Sequence, residues 1–166
     1  CVKDTSLCQG GWGRDPATAV CKECEAGSYS ASGLCEPCRV GSYSSSKGSS
    51  ECTPCAAGRY GTSLSEGDAG NRSSIEIACQ HCPAGKYVNI QGSTTCFDCP
   101  PGTECDAIGM EEYKECPAGQ MALKKESMEC LACAPGRYQN STASATCELC
   151  GAGKYIDLPG SMSASD

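Results

Sequence analysis

The sequence predicts a small disulfide-rich repeat array: an elongated rod of short β-ribbons and turns, with little or no helix and no single hydrophobic core. Three observations predict it. Eighteen cysteines are spread over 166 residues, most of them in C-x-x-C pairs that restart at a near-constant interval. Val, Ile, Leu and Phe together make up only about a tenth of the chain, well under the roughly one-fifth at which a packed core becomes doubtful. Glycine and tyrosine recur at fixed offsets behind the pairs, so the unit is structural as well as covalent.

The clearest unit runs from Cys79 to Cys99: Cys-Gln-His-Cys, Pro-Ala-Gly-Lys-Tyr, a polar run through Gly92 and Ser93, then Cys-Phe-Asp-Cys. The marker cysteine of each unit, the second of a pair where a pair is present, falls at Cys8, Cys24, Cys38, Cys55, Cys82, Cys99, Cys116, Cys133 and Cys150. Residues 1–20 form an irregular first repeat, with Gly11 in register, Trp12 one place before the tyrosine slot and Cys1 outside the pattern. Regular repeats occupy 21–98, with Gly27 and Tyr29, Gly41 and Tyr43, Gly58 and Tyr60, and Gly85 and Tyr87 three and five places after the cysteine. An insertion at 61–78, rich in Ser, Glu, Gly, Asp and Asn, reads as a solvent-exposed loop.

Residues 99–129 break the rule. A cysteine is due at position 113 but Tyr113 stands there, and an extra Cys105 appears inside Pro-Pro-Gly-Thr-Glu-Cys, so the displaced cysteine reads as the partner of Cys99. Cys116 restores the register, with Met121 in place of tyrosine. Regular repeats return at 130–166 with Gly136 and Tyr138, then Gly153 and Tyr155; the last is incomplete, with Ala164 where a cysteine belongs. The segments between cysteines are too short and too rich in Gly and Ser for helices. Tyr87–Ile90 and Tyr155–Leu158 alternate as short strands do.

A disulfide from the second cysteine of one pair to the first of the next closes a loop of about 15 residues, worth roughly 3 kcal/mol. Tyrosine can lay its ring over that sulfur pair with its hydroxyl in water, and glycine permits a positive φ or a close backbone approach. Serial pairing gives Cys8–Cys21, Cys24–Cys35, Cys38–Cys52, Cys55–Cys79, Cys82–Cys96, Cys116–Cys130 and Cys133–Cys147, with Cys99–Cys105 displaced; connectivity stays open from sequence alone. Cys1 and Cys150 are left over, available for an intermolecular head-to-tail bond.

The C-x-x-C pairs with their following Gly and Tyr resemble the ephrin-receptor-like cysteine-rich repeats of extracellular proteins and, more distantly, the first sub-modules of tumour-necrosis-factor receptor domains. The resemblance covers about residues 21 to 155 and implies serial disulfides and an extracellular rod. It names no ligand, since such repeats occur in receptors, adhesion proteins and surface coats.

Other readings of the same residues carry less weight. Four-thiolate zinc sites would need an even number of C-x-x-C half-sites, and there are seven. His81, the sole histidine, reads as an exposed spacer, and without a second histidine no nucleophile–base constellation can be assembled, so no enzyme, metal or other cofactor is expected. A net charge of −7 with scattered Lys and Arg offers no basic stripe for nucleic acid. No apolar run approaches the roughly 18 residues of a membrane span, and no signal sequence opens the chain, which points to a mature chain or a fragment. Acceptor sequons at Asn71 and Asn140 agree with an oxidising compartment and covalent glycans. Two functions are therefore expected, both extracellular or at the cell surface. The first, which the regular repeats and the leftover Cys1 and Cys150 favour, is a structural glycoprotein that builds a coat or filament by end-to-end self-association. The second is a ligand-binding or adhesion ectodomain meeting a neighbouring extracellular protein, with the insertion and the Cys99–Cys116 segment as contacts.

Overall fold

The computed structural model describes residues 8–62 and 72–163. Its contacts divide the chain into two units, Cys1–Gln80 with Ile90–Thr95 and His81–Asn89 with Cys96–Asp166. Both are built from the same element, a two-stranded antiparallel ribbon a few residues long, and the protein is a disulfide-rich repeat array with almost no helix. In the first unit β1 (Trp12–Arg14) pairs with β2 (Cys21–Glu23), β3 (Ser28–Tyr29) with β4 (Glu36–Pro37), and β5 (Ser42–Tyr43) with β6 (Thr53–Pro54). There β7 (Arg59–Gly61) also meets β8 (Cys79–His81). In the second, β9 (Lys86–Tyr87) pairs with β10 (Phe97–Asp98), β11 (Thr103–Glu104) with β12 (Lys114–Glu115), β13 (Gln120–Met121) with β14 (Leu131–Ala132), and β15 (Arg137–Tyr138) with β16 (Glu148–Leu149). Among the described residues no helix is long and apolar enough to cross a membrane.

Ribbons this short are marginal in water, and the backbone shows what sustains them. Each repeat docks on the next through a ladder of main-chain hydrogen bonds. The glycine three places after the second cysteine donates to a carbonyl one repeat on: Gly11 to Ser30 and Gly27 to Ser44 in the first unit, Gly85 to Cys105, Gly102 to Ala122, Gly119 to Gln139 and Gly136 to Ile156 in the second. The same glycines accept from the next second cysteine, as Cys38 does to Gly27 at 2.9 Å and Cys133 to Gly119 at 2.8 Å. A residue ten places after a cysteine returns the contact, with Gly48 donating to Cys24, Gly92 to Cys55, Glu126 to Cys99 and Gly160 to Cys133. Glycine is required at the docking position for two reasons. At Gly119 φ is +82°, and an added Cβ would run into the Gly160 carbonyl oxygen. Ala143 and Glu126 hold the left-handed turn, at φ +54° and +61°, without being glycine.

The inward side of each ribbon is narrow. In the regular repeats it consists of the second cysteine and the residue immediately after the tyrosine slot: Ser30, Ser44, Val88, Ala122, Gln139 and Ile156 are all buried. Strand alternation explains the offset, because a tyrosine on one face of a ribbon sends its successor to the other. The expected strands beyond Tyr87 and Tyr155 are shorter than their alternation suggests. β9 ends at Tyr87, and Val88 turns inward to donate to Met110 O at 3.1 Å. Tyr155 lies outside the named strands.

The insertion differs from a wholly solvated loop. Residues 63–71 lie outside the described residues, but Ile75–Ala78 forms one helical turn, α1, whose Ala78 is fully buried beside the Cys55–Cys79 disulfide. Arg72 is buried as well. Its carbonyl accepts from Ser44 N at 3.0 Å and its Nη1 donates to Cys38 O at 2.8 Å. In neighbouring repeats a main-chain N–H serves that cysteine carbonyl; among the described residues the donor to Cys38 O is the Arg72 guanidinium. The polar composition of the insertion does not reveal this burial.

Side-chain charges tie repeats together at the surface. Lys86 bridges Asp98, across its own ribbon, and Glu126, two repeats on. Its hydrogen bond holds Asp98 below the ordinary carboxylate value of 3.8, and the same contacts, Asp98 first, raise Lys86 above 10.5.

Replacing Arg72 by Met is expected to cost about 1–3 kcal/mol in reversible denaturant unfolding with disulfides intact, since a buried carbonyl loses its donor. Ala143→Gly is expected to add about 0.5–1 kcal/mol, because relief of a left-handed cost of about 1–2 exceeds the added chain entropy. A depressed folded-state pKa stabilises above the unfolded value and is lost as pH falls through the folded one. Unfolding midpoints are therefore expected to drop below pH 3.8, and less steeply in Lys86→Met than in the parent chain.

Candidate functional site

Covalent chemistry comes first because it consumes most of the reactive side chains. Sulfur–sulfur bonds join Cys8–Cys21, Cys24–Cys35, Cys38–Cys52, Cys55–Cys79, Cys82–Cys96, Cys116–Cys130 and Cys133–Cys147. Their Cα atoms lie between 5.5 Å, for Cys24–Cys35, and 5.8 Å, for Cys133–Cys147, within the range a disulfide spans. Cys99 bonds instead to Cys105, with a sequence separation of 6. Cys105 occupies the inward slot after the tyrosine position, and both it and Cys99 are fully buried. The exchange explains the irregular repeat: once the interior supplies the partner for Cys99, position 113 is released from cysteine. Cys150 is a half-buried thiol, the single free cysteine among the described residues, and Cys1 lies outside them.

Released from sulfur chemistry, position 113 changes the aromatic surface. In ordinary repeats the tyrosine hydroxyl reaches across its ribbon: Tyr29 donates to Glu36 at 3.1 Å and Tyr60 to Gln80 at 3.4 Å. Tyr138 bonds Glu148, which holds its ionisation above the usual phenol range. Tyr43 packs against the Cys55–Cys79 cluster, and Tyr155 is 60% exposed. Tyr87 has a different environment. The residue opposite it is Phe97, with ring centroids 5.9 Å apart, and Tyr113 meets its other side edge-on at 5.2 Å and 84°. A main-chain bridge from Tyr87 to Met110 brings that segment alongside. Between the two tyrosines opens a hollow of about 260 Å³ lined by Tyr87, Asn89, Glu112 and Tyr113. Sequence reading marks Tyr113 as irregular but passes over Phe97, Asn89 and Glu112. The signal available was the chain's one phenylalanine facing the tyrosine slot.

A second recess, of about 530 Å³, lies by the β3–β4 ribbon, where Arg14 and Lys22 alternate with Asp15, Glu23, Glu25 and Glu36. Its four carboxylates outnumber its two basic groups, but Glu25 is paired with Lys47 and Glu36 accepts from the Tyr29 hydroxyl. Of the sequons, Asn140 is exposed at a turn, its Oδ1 accepting from the Ser141 hydroxyl at 3.1 Å, and Asn71 lies outside the described residues. His81 is exposed with its ring against Gly109. The surface presents aromatic faces, carboxylates and an exposed asparagine on a covalently fixed frame.

A family profile described as tyrosine-protein kinase ephrin type A/B receptor-like matches residues 27–66 and 119–166. No curated protein matches the chain. Membership and the eight described disulfides together indicate an extracellular or cell-surface setting, where such bonds persist. Matched over more than half its length, on either side of the irregular repeat, this chain belongs to the ephrin-receptor-like cysteine-rich repeat family.

Proposed function

We propose that the chain is a non-catalytic, disulfide-stapled segment of a receptor-like ectodomain that fixes and presents a recognition surface to a neighbouring extracellular protein. The family match carries this reading. What supports it physically is a frame in which the repeats ahead of Cys150 are closed by sulfur and docked by main-chain hydrogen bonds, so surface side chains are held without a large core. The irregular repeat from Cys99 to Cys116 is the part of that surface that departs most from the repeating pattern, and departure from a scaffold is where specific contacts arise. Exposed Asn140, at the head of Asn140-Ser141-Thr142, is the proposed glycan acceptor among the described residues.

End-to-end linkage into a coat or filament has one observation behind it, the Cys150 thiol. A lone thiol is compatible with many outcomes, and the family carries no implication of polymerisation, so the ectodomain reading is preferred.

Secreted, unreduced protein is expected to sediment as a monomer across a hundredfold range of concentration, to bind saturably to cells bearing its partner, and to lose that binding after reduction and alkylation. Concentration-dependent polymers that dissolve in reductant would favour the filament and overturn this reading. Enzymatic removal of N-linked glycans is expected to shift the band on a denaturing gel, by a smaller step in Asn140→Gln.

A further inference from the structure

We infer that the hollow between Tyr87 and Tyr113 receives an arginine side chain of the partner protein; the inference rests on the ectodomain reading and names the chemistry of its contact. Four hydrogen-bonding groups converge there without internal use. Among the described residues the Tyr87 and Tyr113 hydroxyls, the Asn89 amide and the Glu112 carboxylate have no hydrogen-bond or ion-pair partner. Tyr29 and Tyr60, by contrast, spend their hydroxyls on Glu36 and Gln80 across their ribbons. Phe97 is what frees Tyr87, because an aromatic ring opposite cannot accept that bond as Glu36 and Gln80 do.

Charge narrows the occupant. The basic side chains adjacent in sequence to the hollow's residues are already committed: Lys114 to Asp106 at 2.6 Å, and Lys86 to Asp98 and Glu126. Glu112 therefore presents an uncompensated carboxylate on a chain of net charge −7. A cation is the complementary ligand, and the aromatic walls favour one that is planar and weakly hydrated. A guanidinium can stack on one tyrosine, direct two N–H groups at the carboxylate and offer the remainder to Asn89 and a hydroxyl. An ammonium would use fewer of these groups. A flat sugar face wants an open aromatic platform, whereas these rings stand at 84° and form a corner.

Glu112 and Tyr113 are both exposed, and Tyr113 is released from any disulfide, so both can be changed without cutting a cross-link. The test is ¹⁵N chemical-shift titration of the whole oxidised chain with acetyl-Gly-Arg-Gly-amide, with its neutral citrulline counterpart and with chitotriose, at low and at physiological salt. The arginine peptide is expected to move Asn89, Glu112 and Tyr113 signals saturably and more weakly as salt rises. Citrulline for arginine, or Glu112→Gln, is expected to cost about tenfold in affinity, the loss of an exposed charge-assisted bond. Tyr113→Phe is expected to retain most binding and Tyr113→Ala to lose it; should Tyr113→Ala misfold, Glu112→Gln still decides. Equal response to both peptides, a response confined to chitotriose, or no movement of these signals would overturn the inference. A monomer that still binds cells under any of those outcomes leaves the ectodomain reading standing.

Discussion

Everything in this protein depends on a shortage of hydrocarbon. A chain with about a tenth of its residues in Val, Ile, Leu and Phe cannot offset the conformational entropy of folding by burial alone. Cross-links reduce that cost at its source by restricting the unfolded chain. Their placement then determines the rest. Except at the half-buried Cys150, the second cysteine of each regular pair is buried within its repeat, and there is room beside it for one more side chain, the residue after the tyrosine slot. With so little interior, cohesion between repeats falls to main-chain hydrogen bonds, and these demand glycine where carbonyls approach closely.

That ladder also accounts for the exceptions. Arg72 is buried in the inserted segment, where its guanidinium serves the Cys38 carbonyl. α1 arises in the same segment, where the chain must return to Cys79 and bury Ala78 on the way. Each irregularity satisfies the same two requirements as the regular repeats, a closed loop and a served carbonyl, by other means. Variation is therefore tolerated wherever it leaves the sulfur centre and the ladder intact.

Surface chemistry follows from what the interior does not use. The hydroxyls of Tyr29, Tyr60 and Tyr138 are engaged across their own ribbons, which makes these tyrosines part of the frame as much as part of its outer face. Among the described residues, aromatic rings gather with unused polar groups where Phe97 faces Tyr87 and the cysteine position is given to Tyr113. The Cys99–Cys105 bond is the cause at one remove, since it satisfies the interior from within a single repeat.

Much was legible in advance because it is written in spacing. The restart of C-x-x-C, the offsets of Gly and Tyr and the poverty of Val, Ile and Leu determine a cross-linked array of short ribbons, because covalent register and loop length are properties of the chain itself. The inward slot was hidden, since Ser30, Val88 and Gln139 share no composition and only the strand's alternation puts them inside. Likewise Arg72, in a polar insertion, gave no sign of burial, and Asn89, Glu112 and Phe97 gave no sign of meeting Tyr113. Those outcomes belong to tertiary structure because they depend on which carbonyl lacks a donor and which rings adjoin after repeats have docked. Both are relations between residues far apart in sequence, and no local pattern encodes them.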